Sequence, residues 1–246
     1  MDRIRWQLLF GLFLIVMSVL TYLMHYAIFR DSHHIFIYLL GDIAFLPVEV
    51  LFVTLIVDRL MSAREKRSMM KKLNMVIGAF FSELGNQLLT SLSDFIPNFE
   101  DLRAELVKNN DWSDKSFVNI GKRLKSFDYH VENQRGDLEE LKKILMEKRN
   151  FLLRLLENPN MLEHESFTDL LCAVFHLTEE LACRGDFAAC PLNDQHHLSG
   201  DIKRIYVLLI VEWLSYMRHL RDEFPYLFSL ASRMNPLNPY ASPNIT

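Results

Sequence analysis

The chain has 246 residues, half of them apolar, a net charge of −4 and three cysteines. That length admits one or two domains, each with a core of its own. The mild acidity and the lack of a long basic run exclude the electrostatic footprint of a nucleic-acid binder, and an odd cysteine count argues against a disulfide framework.

Residues 6–29 contain no Lys, Arg, Asp or Glu. Residues 35–57 hold only Asp42 and Glu49 as charged groups. Each stretch reaches the roughly 20 residues that cross a hydrocarbon core of about 30 Å. The first run is too long for the apolar part of a signal peptide, and residues 25–30 offer no small-x-small cleavage site. Two transmembrane helices joined as a hairpin are therefore expected, with the lipid bilayer as the first partner. Arg59, Arg64, Lys66, Arg67, Lys71 and Lys72 crowd the exit of the second span, and Arg3 and Arg5 precede the first. The positive-inside bias places both termini in the cytoplasm of a multi-pass cell (inner) membrane protein, with residues 30–34 outside. Trp6 and Tyr26 suit the two interfaces.

In the first span Gly11, Ser18 and His25 recur at seven-residue steps, a stripe of small or polar positions suited to helix packing. In the second, Asp42 and Glu49 stand seven positions apart. At 3.6 residues per turn they fall about 20° short of two full turns, so both point the same way. Tyr38 lies near that line and Pro47 on the far side. Each acid near the centre of a span costs roughly 2.5–3.5 kcal/mol, and each Leu, Ile, Phe or Val offsets about 0.3–0.6. Sixteen such residues between positions 35 and 57 make insertion feasible with little margin. Neither span holds a basic residue for the acids. Thr21 or Tyr22 lies at the depth of Asp42 in a hairpin and is placed to hydrogen-bond it. Otherwise protonation, a neighbouring subunit, or water and cations must compensate. Pro47 frees the carbonyl of Ile43, and Gly41 loosens the same turn.

Residues 28–47 resemble small prokaryotic two-span membrane proteins of uncharacterised function, and the likeness implies the hairpin alone. The second span also loosely resembles that of the mitochondrial calcium uniporter, in pairing an Asp with an acid next to Pro. There the acids are three apart after a Trp, whereas here they are seven apart after Gly41, so no residue role carries over.

Beyond Met61 the pattern is helical throughout, which predicts an all-α fold: the hairpin (1–60), an amphipathic connecting helix (61–96), a cytoplasmic helical bundle (97–234) and a flexible tail (235–246). Leu73, Ile77, Phe80, Leu84 and Leu88 recur at three- and four-residue steps. Pro97 and the polar residues 109–114 mark a boundary, with Ser113 or Asp114 as a cap. A charged helix with Leu138, Leu141, Leu145, Leu152 and Leu155 runs from Asp137 to Asn158-Pro159. Ser166 precedes another helix, to about Ala182. A last strong helix spans about 201–221, and Pro225 bends or breaks the chain after it.

Cys172, His176, Cys183, Cys190, His196 and His197 match no compact zinc spacing, and Cys172 and His176 share a helix face expected to pack in the bundle. Glu179, Glu180, Glu212 and His219 lack the paired Glu-x-x-His of di-iron bundles. Asp31, His33 and His34 at the outer turn need no metal role. No metal, cofactor or enzymatic motif is expected. The functional expectation is a homo-oligomeric cation channel or conduit lined by Asp42, Glu49, Tyr38, Gly41 and Pro47, packed through Gly11, Ser18, His25 and Thr21, with the bundle assembling or gating it. The alternative is a membrane-anchored signalling or scaffold protein whose bundle binds a cytoplasmic protein partner.

Overall fold

The computed structural model describes residues 2–108, 112–185, 187 and 189–244. Every regular element among them is helical. The chain divides into two compact units, Met1–Lys66 and Arg67–Thr246. The expected boundary at 109–114 lies partly outside the described residues, as does the side chain of His34.

The first unit holds α1 (Asp2–Phe29) and most of the apolar part of α2 (Ser32–Phe80). Arg30 reverses the chain between them at φ 51°, its amide donating to the carbonyl of Tyr26 at 2.9 Å. That is the left-handed residue with which many helices end. Asp31 Oδ1 then accepts the amide of His33 at 3.0 Å and caps the start of α2. Leu9–Phe29 and the apolar part of Ile35–Ser93 are each long and apolar enough to cross a membrane. Their large side chains are exposed: Phe36 is 67% and Leu40 70% accessible. Pro47 sits inside α2, and the helix continues through it.

In the second unit, the end of α2 already belongs to the core. Leu73, Ile77 and Phe80 are buried, so the expected connecting helix is an integral part of the bundle. A π-helical turn, Phe81–Gly85, follows, in which the amide of Asn86 reaches back five residues to the carbonyl of Phe81. Gly85 is required there, because a Cβ would stand 2.6 Å from Phe81 Cδ1 and 2.8 Å from Phe80 Cε1. α3 (Asn86–Ser93) continues from it, and Pro97 opens a short 3-10 turn into α4 (Glu100–Lys108). α5 (Asp114–Ser126) is capped by Ser113, whose Oγ accepts the amide of Ser116 at 3.3 Å. The leucine run is two helices, α6 (Leu138–Glu147) and α7 (Arg149–Leu156), broken at Lys148; Asp137 caps the first.

Three boundaries depart from the sequence reading. α8 (Glu165–Ala182) is capped by the His164 imidazole, which accepts the amide of Phe167 at 3.3 Å, and not by Ser166. α9 (Leu192–Glu223) begins well before Asp201, because Pro191 starts a helix whose first turns are polar and carry no apolar period. Pro225 likewise starts α10 (Pro225–Arg233), its missing N–H falling where a helix has no use for one. The expected loose tail is anchored at its start: Leu237 is fully buried, its carbonyl accepts from Arg103 Nε at 2.7 Å, and that of Pro236 accepts from Thr90 Oγ1 at 2.9 Å.

α9 is the central helix. α3, α5, α8 and α10 pack on it, and α6 and α7 cover α8. Its Tyr206 and Trp213 are the largest wholly buried side chains, each worth about 1.5–3 kcal/mol or more of burial.

Candidate functional site

Two groups of residues can carry chemistry. The first is the set expected in the apolar helices. Asp42 and Glu49 are both exposed on α2, and neither has a hydrogen-bond or ion-pair partner among the described residues. Thr21 does not bond Asp42. Its Oγ1 donates to the carbonyl of Met17 at 2.8 Å, one turn back in its own helix, which satisfies the hydroxyl without a second helix. Ser18, Thr21 and His25 of α1 do come together with Tyr38 of α2, lining a shared pocket with Tyr22 and Ile35. Gly11 and Gly41 stand apart from it: a Cβ at either would meet no atom within 4 Å. The close packing expected of Gly11 is thus not made within one chain.

The second group is assembled by the packing of α8 on α9. His176 and Glu180 lie one turn apart on α8; His197 and Asp201 lie one turn apart on α9, so each pair shares a helix face. Asp201 Oδ2 stands 3.4 Å from Nε2 of His176 and 3.4 Å from Nε2 of His197. Glu180 lies 3.9 Å from the first imidazole nitrogen and 3.8 Å from the second. One ligand atom each from His176, Glu180 and His197 falls within 4.8 Å of the others. The histidines are half-exposed, whereas Asp201 is 3% accessible. Its Oδ2 has no hydrogen bond, and Arg204 approaches only Oδ1, at 3.5 Å.

Arg184 braces this group. Its Nη1 donates to Glu180 Oε2 at 2.5 Å, while Nε and Nη2 grip both oxygens of Asp194 at 2.8 and 2.6 Å. The hydrogen bond from Arg184 holds the Glu180 carboxyl below the usual carboxylate range despite partial desolvation, and the nearby imidazoles act in the same direction. The same arginine, with the thiol of Cys190 at 3.3 Å, holds Asp194 down to about 2.

The sequence reading placed His176 and His197 among cysteines. The fold separates them from that set: Cys172 and Cys183 are exposed, and Cys190 bonds Asp194. Cys172 and His176 do not pack in the core, since both are exposed. Glu180 and Asp201 were missed as their companions. The signal was there as His-x-x-x-Glu and His-x-x-x-Asp, but the second pair becomes a helix face only once residues 192–200 are helical.

Comparison with known proteins gives two family matches. Residues 2–61 match the model described as MJ1433, N-terminal helical domain, and residues 69–233 match that of Uncharacterized protein MJ1433, C-terminal helical domain. The chain is 42% identical over 238 residues to Uncharacterized protein MJ1433 of Methanocaldococcus jannaschii, which covers 97% of this chain and 96% of that protein. No solved structure matches.

Proposed function

Since the chain belongs to the family of the uncharacterized protein MJ1433, with both of its helical domains, we propose that it is an integral membrane protein that oligomerises around its second apolar helix to form a cation conduit. Both termini lie in the cytoplasm, and the bundle assembles or gates the oligomer.

The observation that carries this reading is the pair Asp42 and Glu49: two carboxylates on one face of an exposed apolar helix, without a partner among the described residues. In water the surrounding side chains would each forfeit about 1.5–3 kcal/mol of burial, so this surface calls for lipid or protein around it. In lipid, the two acids need water, cations or another subunit. A ring of second helices supplies all three, placing the acids where they attract cations. Tyr38 sits on the same side; Pro47 and Gly41 provide a weakened turn beside the acids.

Cation flux into liposomes holding matched amounts of wild type and Glu49→Gln tests it. Flux that the substitution abolishes or changes in selectivity supports the conduit. Absence of flux from both, across monovalent and divalent cations and several pH values, counts against it.

One observation favours a second reading, a membrane-tethered scaffold. α10 exposes Tyr226, Leu227, Leu230 and Met234 at helical spacing, a surface on which a protein partner could dock. In that case Asp42→Asn and Glu49→Gln leave function intact.

A further inference from the structure

We propose that His176, Glu180, His197 and Asp201 form a binding site for one divalent transition-metal ion of the zinc class, which clamps α8 to α9. The site is independent of the conduit reading.

The argument starts from Asp201. A carboxylate with 3% exposure is costly to bury unless its oxygens are paired. Oδ1 has Arg204, but Oδ2 has no hydrogen bond and faces two imidazole Nε2 atoms at 3.4 Å each. A neutral imidazole can turn either a proton or a lone pair toward it, and two such rings around one oxygen leave a concave, electron-rich gap. A cation fills that gap without moving the backbone.

The spacings agree. Ligand atoms about 2.0–2.1 Å from a tetrahedral zinc stand about 3.3 Å from one another. Both Asp201–histidine separations are 3.4 Å, and the Glu180–histidine separations of 3.9 and 3.8 Å need only a small contraction. Two imidazoles with carboxylates form a donor set of borderline softness, which suits zinc, cobalt or iron(II) and disfavours calcium and magnesium, whose shells are built from oxygen. Arg184 is a positioning residue. By holding Glu180 Oε2 at 2.5 Å it fixes the carboxylate and leaves Oε1 toward His176. The half-exposed histidines leave the ion open to solvent, so loading needs no opening of the bundle.

The test uses full-length protein in detergent, stripped with a chelator and titrated with Co²⁺ alone, then with Zn²⁺ in competition. The expected result is saturable uptake of one Co²⁺ per chain, with visible bands of a four- or five-coordinate ion, bleached by Zn²⁺. His176→Ala and His197→Ala should each weaken binding at least about tenfold, and Asp201→Asn should act likewise. His196→Ala, one residue away, should have no effect. Because Asp201→Asn disturbs a buried group, X-ray absorption of zinc-loaded wild type gives a measurement free of substitutions. It should find two imidazoles with oxygen and no sulfur. Absence of saturable uptake, uptake that survives the double histidine variant, or sulfur in the shell each overturns the proposal.

Discussion

Asp194 receives both edges of the Arg184 guanidinium, at 2.8 Å from Nε and 2.6 Å from Nη2, across the connection from α8 to α9. The fork is the geometry in which arginine and carboxylate bind best, and lysine cannot reproduce it. The same guanidinium holds Glu180, so one side chain ties the end of α8 to the first turn of α9. Arg184→Lys keeps the charge and loses the fork. The amides of Asp194 and Gln195, both bonded to the carbonyl of Pro191 at 3.0 Å, should then exchange about tenfold faster, while those at the centre of α9 stay unchanged. Hydrogen exchange read by mass spectrometry checks it, and equal rates would show that the fork adds nothing to the start of α9.

Gly85→Ala inverts an ordinary rule. In the middle of a helix that substitution stabilises by about 1 kcal/mol. Here the new methyl meets Phe81 Cδ1 at 2.6 Å and Phe80 Cε1 at 2.8 Å, and both rings are wholly buried. The expected outcome is a loss of about 1–3 kcal/mol, read from denaturant unfolding. A gain in stability would mean that the rings can move aside.

Ser93 and Tyr206 should respond unequally. Their hydroxyl oxygens lie 3.1 Å apart in the core, and Ser93 Oγ also donates to the carbonyl of Leu89 at 2.7 Å. Tyr206 is therefore the donor between the two. Tyr206→Phe removes one hydrogen bond and leaves Ser93 bonded, at about 0.5–1.5 kcal/mol. Ser93→Ala leaves a buried phenol without its acceptor and should cost about 1–3 kcal/mol. The two variants, unfolded side by side, decide the direction of the bond. Equal losses would contradict it.

His219 links stability to pH. Burial holds its imidazole below the ordinary 6.5, and Nδ1 accepts from Asn74 Nδ2 at 3.2 Å, a bond that only the neutral ring can make. Glu223 and Asp222 favour the charged ring and Lys71 opposes it, yet burial prevails. The unfolded chain therefore takes up a proton at a higher pH than the folded one. Its contribution to stability is constant well above pH 6.5 and falls on acidification through that value, levelling off below the lowered folded pKa. Thermal midpoints at pH 7.5 and 5.5, in the presence of a chelator, should drop for wild type and drop less for His219→Gln. Identical drops would remove His219 as a cause.

Helices with a strong apolar period were legible from the sequence, and so were caps with a carboxylate or hydroxyl. Leu73, Ile77, Phe80, Leu84 and Leu88 are all buried, and Ser113 and Asp137 do cap helices. What escaped depended on tertiary context. The first turns of α9, including Gln195, His196 and His197, are polar, and they hold a helix because Pro191 starts it and Arg184 anchors Asp194. Leu237 looked like part of a Pro- and Asn-rich tail, and is buried because Arg103 and Thr90 bind the carbonyls around it. For the same reason half of the histidine and carboxylate cluster was invisible: Asp201 was placed at the start of a helix, with no turn before it to carry His197.

The π-helical turn at Phe81–Gly85 leaves a phase offset in the chain. It holds one residue more than a regular turn would, so the faces before and after it are out of step with a single helical wheel. Removing any one residue from it would restore the ordinary pitch and swing all that follows by about 100°. Leu88, Leu89 and Leu92, now inside, would rotate away from α9. A deletion here is a rotation more than a shortening, so this is a place where the chain tolerates changes of side chain better than changes of length.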